Sequence, residues 1–120
     1  MTGQNMIRFQ KHLPHELIQR AISLEEIGVD EYAWMWGDAL EVIQALGSQG
    51  ILILGGDVYS VSGGRASPTY DNWYVNPSNL VPTSEDIRKA QQLSDSYVRT
   101  YAAQHGNTYY YSITAKLPYH

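Results

Sequence analysis

Residues 51–75, ILILGGDVYSVSGGRASPTYDNWYV, carry the reading on which the fold turns. The unbroken aliphatic run at 51–54 has the pattern of a strand buried on both faces. Gly55 and Gly56 interrupt it before the strand pattern resumes at 58–61. A bulge or a close backbone approach explains such a glycine pair. Residues 62–68 read as a hairpin loop, and 70–75, with Tyr70, Trp73 and Tyr74, as the returning strand. Residues 76–79, NPSN, then turn the chain out.

Helical patterns lie on both sides of this hairpin. The first helix is expected from Pro14 to Glu26, ahead of Gly28, with Leu17, Ile18, Ala21 and Leu24 on one stripe. The second is expected to start at an Asp30 N-cap and to close at Gly47. Its apolar face collects Tyr32, Met35, Trp36, Ala39, Leu40, Val42, Ile43 and Leu46. Its opposite face collects Asp30, Glu31, Trp34, Asp38 and Glu41, so Trp34 stands among acids. The third helix takes Thr83 or Ser84 as N-cap and Gly106 as terminator, with Ile87, Ala90, Leu93, Tyr97, Val98 and Tyr101 facing inward. Residues 109–117 alternate as a strand, leaving Tyr110, Ser112, Thr114 and Lys116 on a wet face. Residues 6–9 suggest an edge strand. The order is ααββαβ: an α+β fold, three helices packed on one face of a small antiparallel sheet.

At 120 residues the chain fits one domain, residues 1–120, and it has no cysteine for a disulfide or thiolate site. No run approaches the ~20 apolar residues of a membrane span, and the first residues lack a secretory apolar stretch. A soluble cytoplasmic protein is expected. The net charge of −4 argues against nucleic-acid binding. Residues 21–64 hold seven acids and no lysine or arginine, so the whole negative excess lies there. With ten tyrosines and three tryptophans as well, this is the profile of a binder for something basic.

No constellation reaches the standard of an active site. His12 and His15 flank Pro14 at a helix entrance, with no further ligand nearby. His105 is expected half-buried on the apolar side of the third helix, near its negative end. Gly63-Gly64-Arg65 lacks the lysine and context of a phosphate loop. Asp57 reads as a structural carboxylate accepting bulge N–H groups. For Trp34 two readings stand, cover by the first helix or exposure at the centre of a binding patch. The site assignment takes the second.

Gly55-Gly56-Asp57-Val58-Tyr59 and Tyr70-Asp71-Asn72-Trp73-Tyr74, set in the ILILGGDVY and NWY strands, resemble the immunity proteins of bacterial polymorphic-toxin and contact-dependent-inhibition systems. More narrowly, the sequence is similar to the family called immunity protein 40. The helix ending YVRTYAAQHG and the strand YYYSITAKL fit the same family. The resemblance implies a cytoplasmic, non-enzymatic protein without a cofactor. It implies one that binds the toxic C-terminal domain of a cognate effector and blocks it. Many such toxins are nucleases with basic grooves, which the acidic segment would complement. The partner-binding candidates are Asp30, Glu31, Trp34, Asp38 and Glu41, with Arg65 and Tyr110 secondary. The expected state is a monomer or homodimer, contacting neither nucleic acid nor membrane. The alternative is a small-ligand or carbohydrate-binding module using a Tyr/Trp-rich sheet face. An enzyme, resting on Asp57 or His105, comes third.

Overall fold

The computed structural model describes residues 8–76 and 81–116. Among these, strands β1 (Ile22–Ser23), β2 (Tyr32–Met35), β3 (Leu52–Ser62), β4 (Arg65–Tyr74) and β5 (Tyr110–Lys116) form one antiparallel sheet, ordered β1-β2-β5-β3-β4. Helices α1 (His15–Arg20), α2 (Trp36–Ser48) and α3 (Ser84–His105) pack on one face of it, as the α+β reading expects.

The β3–β4 hairpin organises the sheet. Gly63 and Gly64, at φ 59° and 78°, make a two-residue turn whose geometry requires positive φ at both positions. The loop is therefore shorter than the seven residues read from the sequence, and Pro68 lies within β4. That is permitted because β4 is an edge strand, where a missing N–H disrupts no further ladder.

The glycine pair answers to close approach, as expected. A Cβ on Gly56 would stand 2.1 Å from the Ser112 carbonyl oxygen and 2.4 Å from the Trp73 ring. Register shifts fall at Ile53/Gly55 against β5 and at Asp57/Tyr59 against β4. The second sets Thr69, Tyr70 and Asp71 opposite Val58 alone. Tyr70 there takes φ 72°, a left-handed conformation costly for a bulky residue.

The main core joins Leu17, Val42, Ile43, Leu46 and Val98 of the helices to Ile53, Val58, Trp73, Tyr111 and Ile113 of the sheet. Fully burying each such side chain contributes roughly 1.5–3 kcal/mol. A second, smaller cluster of Leu24, Ala33 and Tyr59, with Ile22, Ile27, Val29, Ala66 and Tyr110 around it, lies on the outer sheet face. The face expected to be wet is thus half covered by the chain between α1 and β2, and Ser112 is buried there.

Several expected boundaries move. α1 ends at Arg20, and the chain enters β1 and a 3-10 turn, Glu25–Ile27, that Gly28 closes at φ 82°. α2 begins at Trp36, not after Asp30, because residues 32–35 form a strand, Tyr32 and Ala33 pairing with β1 and Ala33, Trp34 and Met35 with β5. Its end is not at Gly47 either. Gly50 takes the left-handed conformation, while Ile51 N–H donates to the Leu46 carbonyl and Gly50 N–H to that of Gly47. This is a Schellman closure.

α3 follows the sequence closely, with Thr83 and Asp86 in a reciprocal capping box and Gly106 at the C-cap. Leu93 is exposed rather than inward, and Ser94 takes the buried position, accepting from the Trp73 indole at 3.0 Å. Residues 8 and 9 belong to a 3-10 turn, Arg8–His12, rather than an edge strand. Residues 6–7, the turn from Pro77 onward and Leu117 lie outside the described residues.

Candidate functional site

The residues singled out in the sequence fall into separate places. Trp34 is on β2 and wholly buried (0% exposed), and its indole N–H donates to the Leu17 carbonyl at 2.7 Å. The exposed anchor expected among acids is corrected by that burial. Strand alternation, not helical rotation, directs this side chain, and it points into the helix layer. Asp38 and Glu41 do share the outer side of α2, but Arg20 from α1 reaches both, at 3.0 and 3.5 Å. Their field is partly neutralised from within the molecule.

Arg65 is exposed beside the hairpin turn. Tyr110 is half-buried near the same end and lines a shallow cavity of about 230 Å³ with Ile22, Leu24, Ile27, Val61 and Ala66. That volume is below the roughly 300–1,000 Å³ common for small-molecule sites. Trp34 and Trp73 are buried in the core and Trp36 is half-buried. The ligand-binding alternative therefore finds no tryptophan platform on the outer sheet face.

Glu31 has the most informative surroundings. Its backbone carbonyl accepts from Leu24 N–H, which fixes the chain as it enters β2. Its side chain lies on the outer face with Ser112 and Asp57. Burial raises its pKa against the lowering effect of the Ser112 hydroxyl, and the Asp57 and Asp30 carboxylates raise it further. Burial also raises Asp57. The Tyr59 phenol, pushed up by burial and by both carboxylates, completes the group. No hydrogen bond from bulge N–H groups reaches Asp57: the extra residues opposite Val58 belong to β4, and the extra residue of β3 against β5 is Leu54, three positions earlier.

On the inner side an aromatic ladder ties α3 to the sheet. Trp73 stacks on Tyr97 (4.8 Å between centroids), Tyr97 on Tyr101 (5.9 Å), and His105 lies over Tyr101 (4.2 Å). The Tyr101 hydroxyl donates to Asp71 at 2.8 Å, and burial pushes its pKa up to about 12. His105 is exposed rather than half-buried. His12 and His15 are exposed as well. Among the described residues no three of His, Cys, Asp and Glu come together as a metal site.

Sequence reasoning passed over Tyr70 and Tyr74 as outward aromatics; they are 85% and 74% exposed. For Tyr74 the available signal was its parity opposite to Trp73 along β4; Tyr70 lies in the irregular stretch, where alternation does not hold.

The exposed residues of the outer sheet face thus include a carboxylate, Asp57, and a tyrosine, Tyr74. A family model described as Immunity protein 40 matches residues 23–115, from β1 through β5, and the chain belongs to that family. It is an immunity protein of toxin systems, with a toxin as the implied partner. No curated protein and no solved structure matches it. No helix among the described residues is long and apolar enough to cross a membrane.

Proposed function

We propose that this chain binds the toxic C-terminal domain of a cognate effector in the cytoplasm of the producing cell and blocks it stoichiometrically, without catalysis or a cofactor. Family membership carries this reading. The distribution of charge supports a basic toxin surface, such as a nuclease groove, since residues 21–64 hold seven acids and no base. Asp30 and Glu31 are proposed as contacts on the sheet side and Asp38 and Glu41 on α2, where the toxin's bases would compete with Arg20. Arg65 and Tyr110 are proposed at the hairpin end. Trp34 is not among them, being buried.

Co-expression with the toxin domain encoded beside its gene tests the reading, with growth rescue and co-purification scored together. Rescue with a stable complex is expected, and its affinity should fall as salt rises. A domain that kills and is neither bound nor neutralised would overturn the assignment.

A further inference from the structure

We infer that the uncovered part of the outer sheet face, centred on Asp57, bordered by Glu31 and flanked by Tyr74, receives a lysine or arginine side chain of the toxin. This rests on the toxin-binding reading and names the surface that performs it. The helices occupy the inner face, and the segment before β2 covers only the end of the outer face near Tyr59 and Tyr110. Beyond that cover, the pairings Asp57↔Asn72, Gly55↔Tyr74 and Gly55↔Thr114 set their residues side by side on the open part, with the buried Ser112, opposite Asp57, at its border.

Charge is the first argument. The ion pairs among the described residues join Arg20 to Asp38 and Glu41, Arg88 to Glu85, and Arg99 to Asp95. None reaches Glu31 or Asp57, whose carboxylates are near enough for Asp57 to raise the pKa of Glu31. Two like charges held together without a cation are unfavourable in the free protein, and an incoming cation relieves them.

Unmet hydrogen bonding is the second. Ser112 is wholly buried (0% exposed), and its hydroxyl acts weakly on both Glu31 and Tyr59 without closing a hydrogen bond of ordinary geometry to either; the buried Oε1 of Glu31 has none from elsewhere. Buried polar groups are ordinarily paired. Here Ser112 lies on the same face as both carboxylates. With its inner oxygen short of donors, the Glu31 carboxylate gains from a cation arriving beside Asp57 on the open side.

An exposed aromatic is the third argument. Tyr74 stands on the edge strand β4, 74% exposed and diagonal to Asp57. A phenol face beside a carboxylate suits a cation, through the ring quadrupole and through contact area.

Calorimetric titration of the full chain with the catalytically inactivated toxin domain encoded beside its gene tests the assignment. Asp57→Asn and Tyr74→Ala should each weaken binding tenfold or more, and Asp57→Asn should also flatten the salt dependence. Asp95→Asn, which removes the same charge from α3, should stay within twofold. Melting curves confirm that each variant is folded. If wild type binds but Asp57→Asn and Tyr74→Ala both stay within twofold, this surface is wrong and the immunity reading stands. If wild type does not bind at all, the immunity reading fails and the surface assignment falls with it.

Discussion

Trp34 is a tie between layers. Its ring fills the core between sheet and helices, and its N–H meets a carbonyl of α1 that water cannot reach. Trp34→Phe keeps an aromatic ring but removes the donor, leaving the buried Leu17 carbonyl unmet. It should cost about 1–3 kcal/mol in denaturant unfolding, with toxin affinity of the folded protein unchanged. An affinity loss without a stability loss would place Trp34 at the interface instead. The residue was misread because Tyr32-Ala33-Trp34-Met35-Trp36 satisfies two periods at once. A helical wheel puts Trp34 with the acids, while strict alternation puts it with Tyr32, and a run this short cannot separate them. Gly56 is the converse case. A glycine inside a strand announces that something lies against the backbone, and the Trp73 ring does.

α3 is the element whose sequence signals agree. Thr83 accepts from Asp86 N–H at 3.1 Å, and the Asp86 carboxylate accepts from Thr83 N–H at 2.9 Å. Thr83→Ala should therefore destabilise the protein by about 1 kcal/mol, seen as a lower denaturation midpoint with an unchanged slope. Both ends of this helix were legible, because caps are local chemistry. Its inward face was less so: Leu93 outranks Ser94 on any hydrophobic scale, yet Ser94 is the buried one. Its hydroxyl is doubly used, accepting from Trp73 and donating to the Ala90 carbonyl at 2.8 Å. Such a partnership across 21 residues cannot be seen in a periodicity. The β3–β4 hairpin was legible as an element, and only its loop length was misread, since Ala66, Ser67 and Pro68 carry turn chemistry but pair as strand.

For the molecule as a whole, the acids on the open sheet face make stability depend on pH in a definite sense. Glu31 and Asp57 have folded pKa values raised above their ordinary 4.5 and 3.8. The folded state therefore holds their protons more tightly than the unfolded chain does. Their cost is absent below those ordinary values, grows as pH rises, and is complete above the raised ones. Glu31→Gln should accordingly raise the melting temperature of the free protein at pH 7, with the gain disappearing below about pH 4.5. If the variant melts lower at pH 7, the carboxylate is stabilising and the sign is wrong. A surface that binds cations at the cost of free-state stability is an ordinary trade-off.

The sequence by itself determined the α+β class, the third helix with its caps, the glycine-marked strand and the resemblance that the family match bears out. Each of these rests on local chemistry, on a long period or on a short distinctive string. Only the tertiary structure decided that residues 32–35 pair between β1 and β5, that the outer face has a second cluster, and that Glu31 stands by Asp57. Those outcomes depend on contacts between residues far apart in the chain. Where local preference is evenly divided, it is the long-range hydrogen-bonded ladder and the burial it permits that choose.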